Sequence, residues 1–285
     1  MSINYQVHNI LHSIYSNQRN NLNIFYTYNF SLFDKIIIDI PGINFLHNGV
    51  FLNCPLSYAL CVINDPIDFA QNINAYNNLY ANKIIFFHEE PNASLKKEDL
   101  FLLKNSLSRF ELFSFNKNYA SWCNPNIRSL TYGIKPYTKQ INKDKDIILL
   151  YSNSHKQTKL IYDNLKQIYP NTKLLEINAT QSYDDIIEII SEYKICIDLT
   201  SYYNILCAVS VGCYGITGQR GYKDEYINQI KDYQELIDII KKILSQFESN
   251  TDSMQKYIAD NYSYEFFIEN IKHIVTNYSK KAVIL

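Results

Sequence analysis

Apolar residues in this chain fall in short unbroken runs separated by longer stretches of helical periodicity. Lys35 to Ile40 (KIIIDI), Ala59 to Ile63, Lys83 to Phe87 (KIIFF) and Phe110 to Phe115 are such runs in the first half, with a short aromatic one at Asn23 to Tyr28. After residue 146 come Ile147 to Tyr151, Lys173 to Glu176, Lys194 to Asp198 and Cys213 to Thr217. An unbroken run is buried on both faces, so these strands belong to parallel sheets covered by helices above and below. The intervening segments predict helices over Ile67 to Leu79, Lys97 to Ser106 and Lys117 to Trp122. Further helices are expected over Thr158 to Tyr169, Tyr183 to Glu192, Tyr202 to Val211 and Asp232 to Phe247. Two terminal helices follow, Asp252 to Asn261 and Ser263 to Tyr278. Ser263 suits an N-cap and Glu265 the first turn.

The alternation is interrupted once. Tyr132 to Asp146 (YGIKPYTKQINKDKD) has a Gly, a Pro and charged residues but no apolar period, and reads as an interdomain connection. The expected architecture is α/β, with two Rossmann-like domains whose parallel sheets face a central cleft. The boundaries are residues 1–135, a linker over 136–146, a second domain over 147–262 and a closing helix over 263–285.

Composition narrows the function. With 285 residues, 47% hydrophobic and 19% charged, the chain can bury a sizeable core without staples. A net charge of −1 and a pI near 6.6 argue against affinity built on broad phosphate neutralisation. The six cysteines, at 54, 61, 123, 196, 207 and 213, include no Cys-x-x-Cys and no zinc spacing, and several sit in apolar runs. They read as free thiols in a reducing compartment. No signal peptide and no membrane-length apolar run is visible, so the expectation is a soluble, cytoplasmic protein without a transmembrane segment.

Four of the seven glycines, Gly212, Gly215, Gly218 and Gly221, recur at every third position after the apolar run Ile205 to Val211. Glycine at this density serves sharp turns, positive φ or close approach of another molecule. A helix ending at Gly212, a strand, then a polar loop with Gly218 and Arg220 places that loop where open α/β sheets hold ligands. Two strand-to-helix turns add to it. In one, Thr200 and Ser201 follow the strand ending at Asp198. Ser201 can cap the helix at Tyr202, leaving amides and the positive dipole end for a phosphate, with Asn204 as a further donor. In the other, Ser152, Asn153, Ser154, His155 and Lys156 follow the strand IILLY and suit a pyrophosphate or its sugar. Lys156, Lys159 or Arg220 are candidates to stabilise a departing diphosphate.

The order YGIKP, DIILLYSNSHKQTK, YKICIDLTSYYNILCAVSVGCYGITG and DNYSYEFFIENIKHIV resembles the C-terminal half of GT-B glycosyltransferases over residues 130–278. The resemblance implies a nucleotide-sugar domain, a last helix returning to the first domain, and transfer of a sugar from a UDP- or GDP-sugar without a required metal or cofactor. One departure is plain. Cys207 stands where many retaining members carry a glutamate, and Leu199 stands at the partner position eight residues earlier.

On the acceptor side, KIIFF runs into His88, Glu89, Glu90 and Pro91. Alternation along an extended chain puts His88 and Glu90 on one side and Glu89 on the other, which favours His88 and Glu90 as acid or base. Asp39 and Asp65, each at a strand end before a proline, are the alternatives. No Asp-x-Asp pair suits a divalent metal. The acceptor is left open among a glycan, a lipid, a protein and a hydroxymethylated DNA base, as is the oligomeric state. The rival functions are a nucleotide-sugar epimerase and a non-catalytic sugar-nucleotide or glycan-binding module.

Overall fold

In the computed structural model, the described residues are 22–26, 32, 43–47, 59–62, 84–87, 111–114, 128–151, 156–178, 180–218 and 224–281. The chain divides into two compact units, one of Met1–Asn29, Ile38–Leu130 and Glu269–Leu285, the other of Phe30–Ile37 and Thr131–Ile268. Residues 30–37 thus belong with the second unit, although sequence order sets them deep in the first.

The described strands of the first unit pair in parallel, and its described C-terminal residues, 269–281, are helical. Strands β1 (Leu22–Tyr26), β2 (Ile43–His47) and β3 (Ala59–Val62) pair in the order β2-β1-β3. Strands β4 (Ile84–Phe87), β5 (Glu111–Ser114) and β6 (Arg128–Ser129) pair in the order β4-β5-β6. Strand β2 was not expected, because INFLH mixes polar with apolar residues and forms no unbroken apolar run; it takes an edge position. The run 35–40 and the helices at 67–79, 97–106 and 117–122 lie outside the described residues.

The second unit holds a five-stranded sheet of β7 (Lys145–Tyr151), β8 (Lys173–Glu176), β9 (Tyr193–Asp198), β10 (Tyr214–Thr217) and β11 (Ile227–Gln229). Every pairing in it is parallel and the order is β11-β10-β9-β7-β8. Helices α1 (Lys156–Ile168), α2 (Tyr183–Ser191), α3 (Tyr202–Ser210) and α4 (Tyr233–Ser245) accompany it, followed by α5 (Thr251–Asn261) and α6 (Tyr264–Lys281). The runs fold as read because they are the core: Ile147, Leu149, Ile195, Ile197 and Ile216 pack with Leu165, Leu236 and Ile240. Strand β11 escaped the sequence reading, being three residues long and two-thirds polar. Helix α3 is buried at all nine positions and so lies between layers rather than on them.

The segment read as a linker is docked along α2. Lys135 pairs with Asp184 at 2.9 Å and Lys139 with Glu188 at 2.6 Å, and Lys145 pairs with Glu192. The acids at 184, 188 and 192 follow the helical repeat of four, and the basic chain runs beside them. These pairs are solvent-exposed and contribute little individually. Tyr132 and Ile134 are buried, the Ile134 amide donates to the Tyr262 carbonyl at 3.0 Å, and the Tyr203 hydroxyl donates to the Gly133 carbonyl at 2.9 Å. Ser263 caps α6 as expected, accepting from the Phe266 amide at 3.3 Å.

Gly212 ends α3 with a φ of 80°. Its amide reaches the Val209 carbonyl at 2.9 Å and the Cys213 amide reaches Ala208 at 3.0 Å, the paired bonds of a Schellman ending. A β-carbon there would meet the Thr251 side chain on α5. Gly212→Ala is therefore expected to lower stability by about 1–3 kcal/mol, the sum of left-handed strain and a clash. Equal denaturant midpoints for the variant and the wild type would show that neither applies.

Candidate functional site

The strand order sets where a ligand belongs. From β7 the chain passes through α1 to β8 on one side, then returns through α2 to β9 on the other side of β7. Connections leave β7 and β9 in opposite directions, and the crevice beyond their carboxyl ends is the topological switch point at which open α/β sheets hold ligands. Two of the turns singled out in the sequence are those that flank it. One follows Tyr151 at the end of β7, and the other follows Asp198 at the end of β9.

Asp198 builds its turn from inside. The carboxylate is 1% exposed and accepts four hydrogen bonds. Oδ1 receives the Thr200 amide at 2.8 Å, the Thr200 hydroxyl at 2.9 Å and the Ser201 amide at 2.9 Å, while Oδ2 receives Asn204 Nδ2 at 2.7 Å. Burial raises its pKa above the usual carboxylate range, against the lowering effect of the four donors. Ser201 caps α3 as read, its hydroxyl accepting from the Asn204 amide at 3.3 Å.

This geometry gives the backbone ahead of α3 an internal partner. The amides of Thr200 and Ser201 are directed at a carboxylate of the protein itself, so they do not point outward to an anion, and a negative group already lies at the positive end of α3. Asn204 is likewise part of the scaffold. It is 4% exposed, and its Oδ1 accepts the amide of Leu32 at 3.1 Å. Leu32 is fully buried. Asn204 thus ties Leu32 to the Asp198 turn within the second unit. No pattern in the sequence joins positions 172 residues apart, and this partner was missed.

The described glycines of the window serve close packing. A β-carbon on Gly215 would collide with Ile205 of α3, and one on Gly218 would stand 3.2 Å from the Leu199 carbonyl. Gly218 is half-buried rather than on an exposed loop, and it presses the end of β10 onto the Asp198 turn. Gly221 and Arg220 lie outside the described residues, as do Ser152, Asn153, Ser154, His155, His88, Glu89, Glu90, Asp39 and Asp65. Lys156 opens the backbone of α1, and Lys159, one turn on, is exposed.

Cys207, at the position of the absent glutamate, faces the core. It is fully buried, Tyr183 donates to its sulfur at 3.6 Å, and burial pushes its thiol up to about 12. It is an inert packing residue. Among the described residues no three His, Cys, Asp or Glu side chains group as metal ligands, and no helix is long and apolar enough to cross a membrane.

Asn204→Leu would strand a buried carboxylate oxygen and a buried amide, and a loss of about 2–4 kcal/mol is expected in chemical denaturation. A loss below that of an exposed helix substitution would place the amide outside the scaffold. Asp198 also predicts a pH trend. Its folded pKa lies above the unfolded value, so its contribution favours the folded state at acid pH and is lost as pH rises through the folded pKa. Asp198→Asn should abolish that part of the slope in stability against pH, and an unchanged slope would assign it to other groups.

No protein-family description matches the chain, and no curated protein sequence matches it either. Solved structures do. Sucrose-phosphate synthase from Thermosynechococcus elongatus superposes with a TM-score of 0.56 at 12% identity, over 77% of this chain and 73% of that one. Looser likenesses include the spinosyn forosaminyltransferase SpnP, with a TM-score of 0.40 at 11% identity over 76% of each chain. Another is an alpha-glucosyltransferase solved with UDP and a 13-mer DNA containing an HMU base, with a TM-score of 0.37 at 11% identity, over 90% of this chain and 100% of that one. At such scores no residue correspondence is drawn. Parallel sheet, strand order and superposition agree that the chain has the GT-B glycosyltransferase fold, in a form widely diverged in sequence.

Proposed function

We propose that the protein is a glycosyltransferase that moves a sugar from a nucleotide-sugar donor to an acceptor hydroxyl. The supporting observation is that the end of β7 at Tyr151, the Asp198 turn and Gly218 lie on the carboxyl edge of one parallel sheet, at its switch point. The donor is a UDP- or GDP-sugar. Ser152, Asn153 and Ser154 contact its diphosphate or sugar, and Lys156, Lys159 or Arg220 neutralises the leaving diphosphate. Thr200, Ser201 and Asn204 act by shaping the Asp198 turn rather than by binding phosphate through their amides. His88 or Glu90, with Glu89 beside them, takes the proton of the acceptor hydroxyl. No metal or other cofactor is part of this proposal, and the setting proposed is the cytoplasm. The acceptor, a hydroxymethylated DNA base among the candidates, is to be found by assay.

Binding is the first test. UDP or GDP at about a hundredfold over its dissociation constant should stabilise the folded state by about 2.7 kcal/mol, seen as a rise in melting temperature. No rise with any nucleoside diphosphate would remove the transferase reading.

Chemistry is the second test. With a panel of nucleotide sugars and acceptors, alanine at His88 or Glu90 should lower turnover by about a hundredfold or more at one position, with nucleotide affinity unchanged. Full transfer by all three variants at 88, 89 and 90 would move the base to Asp39 or Asp65. Release of an isomerised nucleotide sugar without acceptor would instead identify an epimerase.

A further inference from the structure

Two acids stand on the carboxyl edge of the second unit's sheet, one at the end of each strand that pairs with β7. The fold treats them differently. Asp198, ending β9, is buried and accepts four hydrogen bonds from the protein itself. Glu176, ending β8, is half-buried, and among the described residues its one hydrogen-bond partner is the phenol of Tyr151, which donates to Oε2 at 3.0 Å. Tyr151 ends β7 and lies directly opposite Glu176 in the parallel register. The backbone fixes the pair, since the Ile177 amide donates to the Tyr151 carbonyl at 2.9 Å. Beyond it, Asn178 Oδ1 accepts the Thr180 amide at 3.1 Å and the Thr180 hydroxyl at 2.7 Å, so this turn is ordered without the help of Glu176. Burial and the adjacent carboxylate raise the Tyr151 phenol above its ordinary range, and it stays a donor at neutral pH. A carboxylate has about four acceptor positions, and a single phenol leaves the second oxygen for a donor from outside the protein.

We propose that Glu176 accepts a hydroxyl of the donor nucleotide's ribose, with Tyr151 holding the carboxylate in place. The assignment rests on the donor-site reading above. A carboxylate repels a diphosphate and only accepts hydrogen bonds, so of the parts of a nucleotide sugar it suits the hydroxyls. Its place selects those of the ribose over those of the transferred sugar. Strand β8 flanks β7 on the side away from the switch point, one strand spacing, about 4.8 Å, from the strand whose turn is proposed to hold the diphosphate. Parallel sheets that bind dinucleotides take the same step, with the pyrophosphate at the first strand's turn and a ribose hydroxyl on an acid about 20 residues further on. Glu176 stands 25 residues past Tyr151.

The test uses the full chain as wild type, Glu176→Ala, Glu176→Gln and Tyr151→Phe, with unfolding midpoints to confirm folding. Each is titrated calorimetrically with UDP, GDP, the 2′,3′-dideoxy form of each, and UDP-glucose. Wild type should prefer the ribose form of the nucleotide it binds over the dideoxy form by about tenfold or more. Glu176→Ala should bring that ratio to about one while affinity for the dideoxy form stays within about twofold. Glu176→Gln, nearly isosteric, should bring it to about threefold and serves if the alanine variant does not fold. Tyr151→Phe keeps the ring but releases the carboxylate, and should lower the ratio in the same direction with dideoxy affinity unchanged. A wild type that does not distinguish the two forms, or an equal loss of both in Glu176→Ala, would overturn the contact. A loss confined to UDP-glucose would give the acid to the transferred sugar and overturn the ribose assignment. A wild type that binds none of these ligands would remove the donor reading itself, and the assignment with it.

Discussion

The second unit depends on one buried charge. A carboxylate at the end of a central strand is costly to desolvate unless its lone pairs are filled, and Asp198 fills them with two backbone amides, a hydroxyl and a side-chain amide. That requirement fixes the backbone from 198 to 201 in one conformation, starts α3 at Tyr202, and orients Asn204 so that its carbonyl oxygen faces the Leu32 amide. A turn determined this fully needs no ligand to order it. The same bonds direct the Thr200 and Ser201 amides, just before α3, at the protein's own carboxylate.

Around this turn the sheet and the wholly buried α3 form a stiff base. Gly212 turns the chain out of α3, Gly215 lets β10 lie against Ile205, and Gly218 brings the end of β10 onto Leu199. Each removes a side chain at a point where two elements approach too closely to admit one. The three close approaches, at a spacing of three, meet α5, α3 and the residue after β9 in turn, and the last brings the β10 exit beside the β9 exit. A glycine run that suggested a ligand from its residue type is, at its described positions, a set of close packing contacts.

Most of the second unit was legible in the sequence because its signal is strong and local. Unbroken runs such as IILLY and KICID admit no reading other than strands covered on both faces, and Ser263 with Glu265 marks a helix start by its capping chemistry alone. What was not legible depends on partners far apart. Strand β11 exists because β10 offers it an edge, and nothing in Ile-Asn-Gln announces a strand. The pairing of Lys135 and Lys139 with α2 looked like loop composition, since the acids that receive them are 49 residues away. Asn204 was read from its helix position as a ligand donor. Its actual partners, Asp198 and Leu32, are set by tertiary packing.

The burial of α3 also constrains how this divergent fold can recognise a donor. All nine of its residues face protein, and Cys207 lies beneath Tyr183 in the core, so past its first turn the helix offers no surface to a ligand. A glutamate at 207 would bring a charge into the core, where its stability would rest on donors such as the Tyr183 hydroxyl that meets the Cys207 sulfur. On the proposed reading, a donor would meet the carboxyl edge of the sheet rather than this helix. Loops at such an edge tolerate substitution far more readily than a buried helix does. Sequence can change there while the parallel sheet persists, in keeping with a chain that matches no family description yet superposes on a solved structure at 12% identity.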